Sequence, residues 1–157
     1  MGSKIPRRAW PLLAMLVAAV LGMRSQRAAA DNGIGAWSAL AKWPLIPNHA
    51  VAMPDGRVLT YGSNSDGAQT GGFIYDVWSP SLRLVAAAHW TLPNVTPTDL
   101  FFSAQIVLPQ NGDVALLGGD RWSGSRTTNV GNNNSNIFSP TTDRFSRGAI
   151  FTLKRRI

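Results

Sequence analysis

The sequence predicts an all-β fold assembled from a repeated antiparallel unit, and three observations predict it. Its 15 glycines, 10 prolines and six tryptophans, with no glutamate at all, disfavour solvated helices and suit strands joined by turns. Apolar and β-branched runs are bounded by turn sequences, of which Pro54-Asp55-Gly56 and Pro109-Gln110-Asn111-Gly112 are the clearest. The same runs then recur at a nearly constant spacing along the chain.

The first element is an export signal over residues 1–30. Lys4, Arg7 and Arg8 form a basic start, Ala9 to Met23 an apolar run, and Ala28-Ala29-Ala30 a small-residue cleavage site before Asp31. The run is shorter than the roughly 20 apolar residues needed to cross a bilayer and contains Pro11. The expectation is therefore a secreted or periplasmic protein that meets a membrane only through its export signal. Arg7-Arg8 fits a twin-arginine signal loosely and an ordinary basic start equally well.

The repeat follows. One copy runs from His49 through Met53-Pro54-Asp55-Gly56 to Tyr61-Gly62 and on to Trp78-Ser79-Pro80. The other runs from Ser103 through Leu108-Pro109-Gln110-Asn111-Gly112 to Leu117-Gly118 and on to Phe138-Ser139-Pro140. Gly56 and Gly112 are 56 residues apart, as are Gly62 and Gly118, while Trp78 and Phe138 are 60 apart. This is close to the roughly 50 residues of a kelch propeller blade. Each copy predicts three strands of one blade, near residues 48–53, 57–62 and 72–78, then 103–108, 113–118 and 135–138. No helix longer than two turns is expected after residue 31. The longer connections, Ser63 to Gly72 and Asp120 to Asn134, leave each copy at the same point and predict a shared rim of loops, where propellers bind ligands.

Charge excludes a class of function. The chain carries a net charge of +7, but residues 1–30 hold five bases and no acid, and Lys154, Arg155 and Arg156 close the tail. Residues 31–153 hold seven bases against eight aspartates, which gives no basic face for a nucleic acid. The absence of cysteine excludes a disulfide framework, a thiolate metal site and a cysteine nucleophile.

Several motifs in order narrow the reading further: Trp43-Pro44-Leu45-Ile46-Pro47 before His49-Ala50, then Asp55-Gly56-Arg57-Val58-Leu59, Gln69-Thr70-Gly71, Tyr75-Asp76-Val77-Trp78 and Thr98-Asp99-Leu100-Phe101. In this order they resemble the opening blades of secreted galactose oxidase and glyoxal oxidase-like proteins, the kelch-type copper radical oxidases. The resemblance spans about residues 35–143. It implies a seven-bladed propeller that oxidises primary alcohols or aldehydes with O2 and releases H2O2, using one copper ion and a tyrosine radical crosslinked to cysteine. Two histidines and a second, axial tyrosine complete the family's copper ligands. The family's cysteine directly follows its Asp-x-Phe; here Asp99-Leu100-Phe101 is followed by Phe102. Phe102 has no sulfur, no other cysteine substitutes for it, and the family's radical tyrosine and copper ligands belong to later blades. No catalytic, cofactor-binding or metal-binding residue is therefore assigned, and no cofactor is expected. The expected organisation is a signal peptide over 1–30, an incomplete propeller of two to two and a half blades over 31–147, and a divergent basic tail over 148–157 that is poorly ordered or wrongly paired. The expected function is that of a truncated, inactive oxidase relative or, alternatively, of a secreted binding module for carbohydrate or protein.

The remaining polar and aromatic candidates are read as structural first. His49 and His89 lack a third imidazole partner, and Tyr61 and Tyr75 fall inside expected strands. The tryptophans are read as packing between blades, with Trp122 in a long loop the one candidate for stacking on a sugar. Asp120 and Asn132-Asn133-Asn134 offer a few oxygens for calcium but read as a solvated turn. Two glycosylation sequons occur, at Asn94-Val95-Thr96 and Asn133-Asn134-Ser135.

Overall fold

The computed structural model describes residues 37–124 and 126–154, so the export segment expected over 1–30 lies outside the described residues. Leu40–Ile157 form one compact unit; of Met1–Ala39 only Trp37 to Ala39 are described, without regular structure. The fold is all-β, as composition and turn signals predict. A first sheet joins β1 (Ile46–Ala52), β2 (Val58–Ser63), β3 (Ile74–Trp78) and β4 (His89–Pro93) in chain order, every pair antiparallel. The second sheet has five strands: β5 (Asp99–Val107), β6 (Val114–Ser123), β7 (Arg126–Gly131), β8 (Ser135–Ser139) and β9 (Arg144–Arg147). Its main path is β5-β6-β8-β9, and β7 pairs with the far end of β6. The helical content of the described residues consists of the single 3-10 turns Pro80–Leu82 and Ala86–Ala88.

The repeat read from sequence is kept in the strand register. Val58 faces Trp78 and Thr60 faces Asp76; at the matching positions Val114 faces Phe138 and Leu116 faces Asn136. The four extra residues of the second copy fall between the paired strands and are taken up by the connection that contains β7.

Three strands differ from expectation. The connector before Thr91 contains β4, in which Trp90 and Leu92 alternate with His89 and Thr91 and pair with β3. Asp120 to Asn134, expected as a loop, is largely a hairpin: β6 continues to Ser123, turns at Gly124 (φ 61°) and returns as β7. Each sheet also has a fourth main strand, since Phe145 on β9 pairs with Phe138. The tail, expected to be poorly ordered or wrongly paired, forms no strand over residues 148–154 but is tied back over 148–151: Gly148 and Phe151 donate backbone N–H groups to the Ser135 and Asn133 carbonyls, and Ser135 Oγ donates to the Ala149 carbonyl.

Strand alternation places the core between the sheets. Leu59, Tyr61, Tyr75 and Val77 of the first sheet pack on Val114, Leu116, Phe138 and Phe145 of the second. Tyr75 meets Phe145 edge-on at 4.7 Å and Phe138 at 5.8 Å. The stacking is head to tail. Leu59 and Val77 point into this core, but their counterparts Ala115 and Ile137 are on the opposite face of the second sheet, and the core positions Val114 and Phe138 correspond to Val58 and Trp78 on the outer face of the first.

Candidate functional site

The starts of β1 and β5 and the ends of β2 and β6 meet at one end of the two sheets, together with the connection from Ser63 to Ile74. His49 stacks on Tyr61, with ring centroids 4.7 Å apart and planes 10° from parallel. The Tyr61 hydroxyl is 3.0 Å from Ser103 Oγ and donates to Gln105 Oε1 at 2.5 Å. Burial pushes the Tyr61 phenol up to about 12, against the opposing Ser103 bond, and burial also lowers His49. Both groups are therefore neutral near pH 7. Phe101 lies edge-on to His49 at 6.0 Å and to Phe102 at 4.7 Å.

Phe102 occupies a kink in β5. Its φ of 61° is left-handed, and the register with β6 slips between Asp99 and Ser103. A non-glycine residue there costs about 1–2 kcal/mol of backbone strain. The slip brings Asp99 opposite Asp120, and both are fully buried. The Gln69 side-chain amide bridges the two carboxylates, donating to Asp99 Oδ2 at 2.7 Å and Asp120 Oδ2 at 3.2 Å. Burial pushes Asp99 up to about 6; Asp120 raises it further, while the Phe101 N–H and the Gln69 amide act in the opposite direction. Gly119 makes the close approach possible: at φ 104°, a Cβ there would lie 2.3 Å from the Asp99 carbonyl oxygen.

Around this pair the polar groups are internally bonded. Asn94 Nδ2 donates to the Gly71 and Thr98 carbonyls, so the first sequon has its amide nitrogen committed and buried in the folded chain. Asn133 of the second sequon donates to the Phe151 carbonyl. Asn132, expected in a solvated turn, is buried and donates to the Asp120 carbonyl, while its Oδ1 accepts the Asn134 N–H. Trp122 is also used in packing: its ring lies over Gly72, where a Cβ would come within 2.4 Å, and it meets Phe73 edge-on at 4.8 Å.

The two histidines are not brought together. His49 faces the inter-sheet core beside Tyr61, whereas His89 is on the outer face near the opposite end of the first sheet, where Nδ1 bonds Asp76 Oδ2 at 2.7 Å. Tyr75 is elsewhere again, donating to the Asp143 carbonyl at 2.7 Å. The imidazoles of His49 and His89 therefore do not converge on one site. Among the described residues no three His, Cys, Asp or Glu side chains gather to hold a metal. The same residues contain no helix long and apolar enough to cross a membrane.

The sequence points to no site role for Gln69, Asp76 or Asp99 and marks Asn94 only as a sequon. A carboxylate inside an apolar strand segment, as in Asp99-Leu100-Phe101, is the one signal that points to a buried polar site. No protein-family model matches the chain, and no curated protein matches it significantly.

Proposed function

We propose that this chain is an exported kelch-type propeller module, similar to the opening blades of galactose oxidase and glyoxal oxidase-like proteins, in which Phe102 removes the copper radical chemistry. Its role is then binding, to carbohydrate or protein, rather than oxidation. The observation that carries the propeller reading is the head-to-tail stacking of two four-stranded meanders in matching register. Repeating that operation generates a ring of blades, whereas sheets that paired equivalent faces would stop at two. Ile106, Leu117 and Ile137 leave an apolar outer face on the second sheet, the surface that a further blade covers.

The non-oxidase reading is supported by Phe102 in place of a thioether donor. The test is copper titration of the full chain followed by oxidation. It should give no tyrosyl-radical absorption and no peroxide from galactose or glyoxal-type aldehydes. Peroxide above a metal-free control would refute the reading.

A further inference from the structure

The outer face of the first sheet carries a polar arrangement that the repeat itself does not require. Asp76 is fully buried and accepts hydrogen bonds on both oxygens, from His89 Nδ1 at 2.7 Å and from Thr91 Oγ1 at 2.9 Å. The matching position in the second sheet is Asn136, also fully buried, whose side-chain amide has no hydrogen-bond partner among the described residues. The fold thus forms without an acceptor that orients an imidazole, and the first sheet has one.

The orientation has a chemical consequence. When the imidazole is neutral and its Nδ1–H is held by Asp76, its lone pair is at Nε2. That nitrogen has no partner among the described residues, although the His89 side chain is only 6% exposed. His89 lines a cleft of about 290 Å³ whose other walls are Lys42, Trp43, Pro44, Ala86 and Thr91. Trp43 is fixed in place, edge-on to His89 at 4.4 Å and to Trp78 at 5.0 Å, with Nε1 toward Thr60 Oγ1 at 3.4 Å.

We propose that this cleft binds one ring of a neutral sugar, with His89 Nε2 accepting a ligand hydroxyl and the Trp43-Pro44 wall covering the ring's C–H face. Its volume is at the small end of ligand cavities, which suits a single ring rather than an extended chain. The ligand class follows from the polar groups. An outward acceptor nitrogen calls for a hydroxyl donor, the aromatic and proline wall calls for an apolar surface on the same molecule, and a sugar ring carries both. The Asp76 carboxylate directly behind the imidazole disfavours an anion at that nitrogen, whereas Lys42 on the cleft wall favours one, and the glucuronate titration decides between them. The inference concerns this chain with the outer face of its first sheet open, a face that a closed ring of blades would cover; a failed sugar titration leaves the non-oxidase reading standing, and peroxide formation leaves the inference standing.

The test is titration of the full chain with the methyl glycosides of glucose, mannose and galactose, and with glucuronate as the anionic counterpart, followed by tryptophan emission and by the His89 imidazole nitrogen resonances. A saturable response at about millimolar concentration, with the Nε2 resonance moving and Nδ1 nearly still, is expected for at least one neutral sugar. His89→Gln and Trp43→Phe should each weaken it about tenfold. No saturable response to any of the three glycosides, an unmoved Nε2 resonance, tighter binding of glucuronate, or unchanged affinity in a folded His89→Gln variant would each overturn the proposal. The resonance measurement on the unmutated chain decides the matter if a variant fails to fold.

Discussion

Asp99 is the residue whose ionisation is most tightly bound to the fold, because it is buried opposite a second carboxylate. Its folded pKa of about 6 lies above the unfolded value near 4, so the folded chain holds the proton more tightly than the unfolded chain does. The stability this contributes is fully present below about pH 4 and is lost as pH rises through about 6. Asp99→Asn keeps the shape and removes the proton. The difference in melting temperature between the natural chain and Asp99→Asn should therefore shift in favour of the natural chain as pH falls from about 7 to about 4. Parallel melting curves across that range would show that Asp99 does not titrate there. Phe102 illustrates a different balance, since its left-handed strain and its ring contact with Phe101 are of similar size and opposite sign. Phe102→Gly should change unfolding free energy by less than about 1 kcal/mol, whereas Phe138→Ala, which empties a fully buried position, should cost about 3–5 kcal/mol in urea denaturation.

At the scale of elements, the β6–β7 hairpin is held to the first sheet's β2–β3 connection by the Trp122 ring lying on Gly72. A methyl group at position 72 has no room, and the ring and hairpin must move together to admit it. Gly72→Ala should cost about 1–3 kcal/mol and speed amide hydrogen exchange over residues 126–131 while leaving β2 protected. Uniform loss of protection would mean that the hairpin is not a separate unit. Of the strands legible in the sequence, β1, β2, β5 and β6 flank the Pro-Asp-Gly and Pro-Gln-Asn-Gly turns, and β3 and β8 run into Ser-Pro. The others lack that signal for identifiable reasons. In β4 the polar residues His89 and Thr91, on the outer face, are recruited by Asp76, a partner 13 or more residues away. β7 has weak apolar alternation and exists by pairing with β6, and in the short β9 only Phe145 is buried. The site was legible to the same limited extent. The substitution at Phe102 can be read from the motif, but the register slip that puts Asp99 opposite Asp120, and the Gln69 bridge, depend on loops brought together only by the fold.

At the scale of the whole molecule, the two sheets are joined by an apolar core and by a polar clasp at the turn end. Arg57, just after the first turn, donates to Asp143 Oδ2 at 2.9 Å and to the Pro140 carbonyl in the second sheet, and also pairs with Asp55 in its own turn. The Asp143 bond is the main reason the guanidinium is held above its ordinary pKa. Both side chains of the Arg57–Asp143 pair are about one quarter exposed, so solvent screens much of the attraction. A double-mutant cycle with Arg57→Met and Asp143→Asn should give a coupling of about 1 kcal/mol that shrinks in molar salt. The matching cycle with Asp55→Asn should give less than about 0.5 kcal/mol, because that contact is made within one turn and does not join the sheets. Arg57→Met alone should cost more than either aspartate change, since it also leaves the Pro140 carbonyl without its donor. If the first cycle is additive, the sheets are held by the Leu59–Val77–Phe138 core alone. Head-to-tail stacking would then be a property of apolar shape rather than of the clasp, and Arg57 would serve only its own turn.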